Sequence, residues 1–400
     1  MFVIPSSVDK ELHVKIWQER GAVEEGALIQ IDNLRRLPFA YHHVAIMPDV
    51  HQGYGMCIGG VLATQGVVIP NAVGVDIGCG MCAVKTSLKA SQLDTDTLKK
   101  IMGLIREKVP VGFEHQKEPQ DESLMPILEG GQLDSESWPV ISNEYFSARK
   151  QLGTLGGGNH FIEIQKDGED NVWIMIHSGS RNLGKKVADY YNDIAKKLNQ
   201  RWFSSVPKEW DLAFLPIETR EAQDYLVEMN YCVEFALANR KLMMQNIVDS
   251  FIPTFGSMGW EIEPYINIAH NYARYEHHFG KDVLVHRKGA TSAKLGEIGI
   301  IPGSQGSKSY IVRGLGNPES FMSCSHGAGR KMGRKQASRE LKLEDEIKRL
   351  DDQGIIHGIR TEKDLDEATG AYKDITEVMI NQRDLVEIVT ELTPMAVIKG

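Results

Sequence analysis

The sequence predicts an α+β protein, one large domain over residues 1–400 with mixed β-sheets, surrounding helices and a helical insertion around 181–250. Three observations carry this expectation. Short apolar, β-branched stretches recur and are punctuated by glycine, as strands joined by tight loops are. Between them, apolar residues repeat at helical spacing. The 400 residues, 42% apolar and 25% charged, can bury a large core, and they show no internal repeat or low-complexity tract.

The strand-like stretches are His43–Met47, Ile58–Ala63, Ala83–Lys85, Val172–Ile176, Val283–Val285, Ser309–Val312 and Val386–Val389. Asp94 is placed to cap a helix with Leu98, Ile101, Met102 and Ile105 on one face. Leu183, Val187, Tyr190, Ile194 and Leu198 form a second stripe. A long helix is expected from Thr219 to Val248, with Leu226, Met229, Val233, Leu237 and Met244 inward. These stripes are core packing. The acidic, aperiodic stretch from Glu114 to Pro139 carries proline and glycine, which predicts a surface insertion or mobile loop.

A net charge of −9 argues against a protein that coats nucleic acid by bulk attraction. It leaves room for a local basic groove. Arg330, Lys331, Arg334, Lys335 and Arg339 make one cationic concentration, and Arg181, Lys185 and Lys186 another; either also reads as a solvated helix face. No run of about 18 apolar residues predicts a membrane span, and MFVIPSSVDKELHVK is not a secretory signal. Five cysteines, few and odd in number, point to a reducing compartment, with the cytoplasm the default.

The chemistry-bearing residues stand out by their settings. His160 lies in LGTLGGGNHFIEI, His177 in WIMIHSGSRNLG, His270 in INIAHNYA and His326 in SCSHGAGRKMGR. Each ends a strand-like run or adjoins glycines, where a fold brings a side chain to a cleft with the backbone out of the way. Asp76 and Cys79 sit in the glycine-rich NAVGVDIGCGMCAV. A carboxylate and a thiolate three residues apart can face one ion, or the sulfur can bridge two. With neutral imidazoles added, the mixed O/N/S set suits Mn, Zn or Fe better than Mg or Ca. Any one of these histidines alone reads as an ordinary core or surface residue; four in such settings beside the Asp–Cys pair read as a site.

Cys79-Gly-Met-Cys82 also matches CxxC, but a strand-like AVKT follows it where a redox pair needs a helix, and no second CxxC completes a zinc knuckle. GxxxxGK[ST] is absent, since GSQGSKS at 303–309 has the wrong spacing. Lys-x-Asp-Gly, the nucleophile motif of ligases that carry a nucleotide on lysine, is absent too. Nucleotide transfer here needs another nucleophile.

Taken in order, MPDVHQGYGMCIGGV at 47–61, VGVDIGCGM, GGGNHFIE, HSGSRNLG, HNYA, PGSQGSKSY, SHGAGR, EATGAYKD and the terminal IKG resemble the RtcB family of RNA-splicing and RNA-repair ligases over nearly the whole chain. The resemblance implies the family's own α+β fold, two Mn²⁺ ions and GTP as cofactors. It implies joining of an RNA 3′-phosphate, or a 2′,3′-cyclic phosphate after opening, to a 5′-hydroxyl. RNA with broken ends such as tRNA halves is the implied partner, DNA is not the main substrate, and an archease-like activator is a further expected partner. On the family pattern Cys79 bridges the metals, and Asp76, His160, His177 and His270 complete the ligands. His326 is the implied nucleophile for GMP. Asn159 and the backbone of Gly327, Ala328 and Gly329 hold phosphates, with Arg181 and Arg330 as charge clamps. Ser304, Ser309, Tyr372 and Lys399 surround the guanosine, although a penultimate lysine also reads as a frayed terminal charge. Gly333 stands where many members have serine, and Cys57 and Cys324 are atypical.

Two rival readings remain at this stage. A metal-dependent phosphoesterase would use the same ions with water and need neither His326 nor Lys399. A catalytically silent RNA-binding subunit would not need the complete set from Asp76 to Lys399.

Overall fold

All seven strand-like stretches form strands. In the computed structural model, which describes residues 1–6, 11–128, 136, 138–257, 260–263 and 265–400, they lie in two principal sheets. One has six strands in the spatial order Phe2–Ile4, His13–Ile16, Ala40–His51, Ile58–Thr64, Lys281–Lys288, Asn271–His278. The other has seven, in the order Ile266–Ala269, Gly80–Lys89, Asn171–Ser178, Phe161–Lys166, Val386–Lys399, Ser309–Gly314, Ile298–Ile301. A two-stranded pair, Ala290–Ser292 with Ser323–Ser325, stands beside them.

The three helices named from sequence form, beside others that the sequence reading did not name. Asp94 accepts a hydrogen bond from the Thr97 N–H, and Leu98, Ile101, Met102 and Ile105 are the buried face of Thr95–Lys108. The Thr219 hydroxyl caps Arg220–Val248 in the same way. That helix buries Met229, Val233 and Met244, with Leu226 and Leu237 half-buried at the edge of its face. The helix Arg181–Arg201 departs by one residue: Tyr190 is exposed, and Leu183, Val187, Tyr191 and Ala195 make the buried stripe. Of two adjacent tyrosines the stripe read from sequence took Tyr190, and packing of the Tyr191 ring against Tyr225 puts Tyr191 inward instead. Arg181–Arg201 and Arg220–Val248 pack together, and the second also backs the seven-stranded sheet through Met243, Met244 and Ile247.

Much of the Glu114–Pro139 stretch is tied down. Gln116 and Gln120 donate backbone hydrogen bonds to Lys150 and Arg149, and Met125 and Trp138 are buried. Residues 129–135 and 137 of that stretch lie outside the described residues. Among the described residues no helix is long and apolar enough to cross a membrane.

Sheet register accounts for the site. Gly80 lies opposite both Ser178 and Ala269, and Phe161 opposite His177. One end of the seven-stranded sheet therefore collects residues 76–79, 160, 177 and 270, which are far apart in sequence.

Candidate metal centre and active-site cleft

The side chains gathered there form two donor triads that share one atom. Asp76, Cys79 and His160 make the first, and Cys79, His177 and His270 the second, with the ligating atoms of each within 4.8 Å of one another. The Cys79 sulfur lies 3.4 Å from His160 Nε2 and 3.3 Å from His177 Nε2. His160 Nε2 is 3.1 Å from Asp76 Oδ2, and His177 Nε2 is 3.4 Å from His270 Nε2.

Hydrogen bonds behind the cluster fix which nitrogens point in. His160 Nδ1 lies 3.0 Å from the Leu155 carbonyl and His177 Nδ1 3.1 Å from the Asn159 carbonyl. Carbonyls only accept, so both Nδ1 atoms carry the proton and both Nε2 lone pairs face the sulfur. Burial holds His177 and His270 well below the usual imidazole range, so both are neutral, with lone pairs an ion could use. Burial, with Asp76 beside it, pushes the Cys79 thiol well up. Lone pairs, a carboxylate and a thiol thus converge in a group that a cation could occupy. The donor set fits one or two borderline transition ions.

The scaffold around the cluster is specific. Arg240, fully buried, donates to the Gly78 and Ser178 carbonyls at 3.0 and 2.8 Å and to Asn267 Oδ1 at 2.8 Å, stapling the loop and strand ends that carry the cluster. A Cβ at Gly179 would stand 2.3 Å from Asp76 Oδ1, so the glycine of His-Ser-Gly-Ser makes room for the carboxylate.

His326 follows Ser323–Ser325 and belongs to neither triad; its ring centroid is 4.7 Å from that of His270. Its Nδ1 is 2.6 Å from Asp49 Oδ2, and its backbone N–H donates to the same oxygen at 3.0 Å. The Gly327 N–H adds a third bond at 3.3 Å. Asp49 is fully buried. The carboxylate fixes Nδ1 as the protonated nitrogen and leaves Nε2 with its lone pair free, the tautomer a nucleophile needs. A Cβ at Gly329 would lie 2.1 Å from the Asp49 carbonyl oxygen, so only glycine allows the turn to close on this strand.

Both groups open into a cleft of about 1860 Å³. Asn159, Ser304, Gly327, Ala328, Gly329, Arg330, Tyr372 and Lys399 line it with them. Ser309 does not: it is fully buried, and its hydroxyl sits 3.1 Å from Gln165 Nε2 and accepts from the Gly303 N–H, holding the 303–308 loop from behind. The Arg330 guanidinium is committed within the protein, to Glu367 at 2.9 Å and to the Asp366 and Met332 carbonyls, and it lies over the Tyr372 ring. Tyr372 in turn donates to Glu367. Lys399 is not frayed. It pairs with Phe161 at the end of the terminal strand, and burial lowers its amine despite Glu367 and Glu163 nearby. Burial likewise pushes the Glu163 carboxyl up to about 8. Both basic concentrations contribute: Arg181, Lys185, Arg334, Lys335 and Arg339 all line the cleft. A Cβ at Gly333 would meet nothing within 4 Å, so glycine there reflects no steric demand. All five cysteines are free and buried, and burial pushes Cys82 up to about 12, as expected of a core thiol rather than half of a redox pair.

Sequence reading passed over Asp49, Glu163 and Arg240. Asp49 and Glu163 stood inside the quoted motifs, in MPDVH and NHFIE, and an acidic residue within a strand-like apolar run is the signal that marks them. Arg240 sits mid-helix and carried no such signal.

The α+β scaffold thus brings a shared-cysteine donor cluster that could hold metal ions and an aspartate-held histidine into one cleft lined by basic side chains. A family model described as tRNA-splicing ligase RtcB matches residues 30–400. The RNA-splicing ligase RtcB of Escherichia coli (strain K12) is 41% identical over 408 residues, covering 97% of each chain. The tRNA-splicing ligase RtcB of Thermococcus kodakarensis is 31% identical, covering 98% of this chain and 93% of its own. RNA-splicing ligase RtcB homolog 1 of Entamoeba dispar is 32% identical, covering 93% and 81%. The chain belongs to the RtcB family.

Proposed function

We propose that this chain is an RNA ligase that uses GTP and two Mn²⁺ ions to join an RNA 3′-phosphate or 2′,3′-cyclic phosphate end to a 5′-hydroxyl end, through GMP carried on His326. The observation that carries the reading is the Asp49–His326 pair: a histidine with Nδ1 locked and Nε2 free, outside the donor triads yet beside them. Family membership supplies the reaction class.

His326 Nε2 attacks the α-phosphorus of GTP; the N–P bond forms as the α–β bridging P–O bond breaks and pyrophosphate leaves. An oxygen of the RNA 3′-phosphate then attacks the same phosphorus, and the N–P electrons return to Nε2. The 5′-hydroxyl oxygen finally attacks the 3′-phosphate, GMP leaves and the hydroxyl proton is released. A cyclic end is first opened by water. Asp76, Cys79, His160, His177 and His270 are the residues to hold the two ions, whose charge would neutralise phosphate oxygens through each displacement. Asp49 keeps the imidazole oriented and stabilises the charge that builds on it.

The guanosine end of the cleft suits the base. Glu163, one oxygen of which accepts from Gln165 Nε2, offers its other oxygen on ionisation to the N–H donors of guanine, and Lys399 and Ser304 offer donors for the guanine oxygen. The exposed Lys335 and Arg339, with Lys185 across the cleft, supply the charge for an RNA backbone. RNA with broken ends, including tRNA halves, is the substrate class rather than DNA, and an archease-like activator is a candidate partner. Five free, buried cysteines suit the cytoplasm.

The test is a joining assay. Purified protein with Mn²⁺ and GTP should seal a 3′-phosphate RNA to a 5′-hydroxyl RNA and reject a 5′-phosphate end. Release of inorganic phosphate from the 3′ end without sealing, and without need of GTP, would favour the phosphoesterase instead.

A further inference from the structure

Away from the cleft, a second group of ligating side chains stands on the six-stranded sheet. His13, His42 and His43 each bring one ring nitrogen within 4.8 Å of the others. The strand His13–Ile16 runs parallel to Ala40–His51 with His13 opposite His43, and their rings stack with centroids 5.4 Å apart. Simple strand alternation would send His42 to the other face. Instead the pairing register shifts between Ala40 and Val44, and His42 adopts φ +63°, a left-handed conformation rare for a non-glycine residue. The ring turns back until His42 Nδ1 lies 2.7 Å from His43 Nδ1. Backbone strain that gathers side chains in this way is a pointer to function.

The tautomer of His43 is fixed. Its Nε2 lies 2.7 Å from the Glu319 carbonyl oxygen, which only accepts, so Nε2 carries the proton and the Nδ1 lone pair faces His42. His160 and His177 are each tied to a backbone carbonyl through one nitrogen and face their cluster with the other, the arrangement that orients a metal-ligating histidine. Phe279 stacks on His42 at 3.8 Å and Phe321 on His43 at 4.5 Å, holding both rings. The nearest lysine, Lys15, is paired with Glu319, which offsets its charge.

We propose that His13, His42 and His43 form a separate site for one late first-row divalent cation, of the Zn²⁺, Ni²⁺ or Co²⁺ class, that clips the strand His13–Ile16 to the strand Ala40–His51. Three neutral imidazoles without a carboxylate suit those ions and disfavour Mg²⁺ and Ca²⁺. Tetrahedral ligation places imidazole nitrogens about 3.3 Å apart, so His42 must retreat slightly; it is exposed and His13 half-buried, which leaves room. The Nδ1 proton of His42 moves to solvent and Nε2 takes one up, so the ligand stays neutral. The site lies six residues along an extended strand from Asp49, roughly 20 Å.

The full-length protein and a His13→Gln/His42→Gly double variant test this, glycine at 42 accepting the positive φ without strain. Equilibrium dialysis against Zn²⁺ should find one ion fewer per chain in the variant, with RNA joining unchanged. The wild-type-minus-variant Co²⁺ spectrum should show d–d bands with no thiolate-to-cobalt charge-transfer band, and Zn²⁺ should raise the Tm of the wild type more than that of the variant. Equal ion counts with superimposable spectra would overturn the site and leave the three rings as packing. A thiolate band in the difference spectrum would also overturn it, because the lost ion would then belong to Cys79.

Discussion

Two buried polar groups in this protein look alike in composition and differ in closure. Around Arg287, every guanidinium direction finds an acceptor: Nε donates to Ser323 Oγ, one terminal nitrogen to Glu276 Oε1 and Tyr272 Oη, the other to Glu276 Oε2 and the Phe321 carbonyl. His278 Nε2 stands 3.0 Å from Glu276 Oε2. Donors and acceptors match, and the network needs nothing more. Around Cys79 the reverse holds. Two imidazole lone pairs, a carboxylate and a sulfur face one another, and His270 Nδ1 is buried without a hydrogen-bond partner. A closed network stabilises a fold. An open one gathers donor atoms that a cation can satisfy.

Breaking the open group should cost function first. Cys79→Ala removes the atom common to both triads, so Mn²⁺ content measured on the purified protein should collapse and joining should fall to background. That exceeds the roughly 10–100-fold cost of losing a single outer-shell hydrogen bond. Near-normal metal content in this variant would mean that Cys79 bridges nothing. Asp49→Asn keeps the shape and one amide oxygen but loses the carboxylate charge that supports a cationic His326 imidazole; joining should drop on the order of 10²–10⁴-fold, with circular dichroism and metal content unchanged. Removing Lys399 and Gly400 should raise the KM for GTP by about 10–100-fold, as expected for a lost hydrogen bond to a charged group, without unfolding the chain. Unchanged GTP dependence would take Lys399 out of the guanosine pocket.

Breaking the closed group should do the opposite. Glu276→Gln leaves the Arg287 charge buried and uncompensated, which costs about 3–5 kcal/mol of stability, while joining per folded molecule stays at the wild-type level. The pH dependence sharpens the contrast. Burial alone would raise the Glu276 carboxyl, but the His278 hydrogen bond and the Arg287 charge bring it to about 2, below its ordinary 4.5. Its contribution, roughly 3 kcal/mol, is therefore complete above pH 4.5 and is lost as pH falls through about 2. Urea denaturation from pH 6 to pH 3 should show wild type and Glu276→Gln converging. Parallel curves would show that the network is not coupled to that carboxyl.

The same contrast explains what could be read from the sequence. Period and punctuation located every strand named from sequence, because alternation and glycine act locally. The cluster was legible because Asp76, Cys79 and the histidines carry their settings with them. What escaped depends on pairing between distant segments. Asp49 acquires its role only when the strand Ala40–His51 passes under the turn at 326–329. Arg240 matters because helix and sheet bring Gly78, Ser178 and Asn267 within its reach. Ser309 and Arg330 sit in motif segments, yet the fold turns the first inward and ties the second to Glu367. The bulge that turns His42 onto His43 likewise has no signature in the local sequence.

The central claim is that His326 carries the nucleotide. Incubating the protein with Mn²⁺ and GTP labelled at the α-phosphate, then denaturing it, reads this directly. Wild type should retain acid-labile, alkali-stable label on a histidine, and His326→Ala should retain none while binding metal normally. That variant should still seal an RNA supplied with a preformed 3′-diphosphoguanosine end, which bypasses the histidine step. Label on a lysine, or full joining by His326→Ala from a 3′-phosphate, would contradict the account.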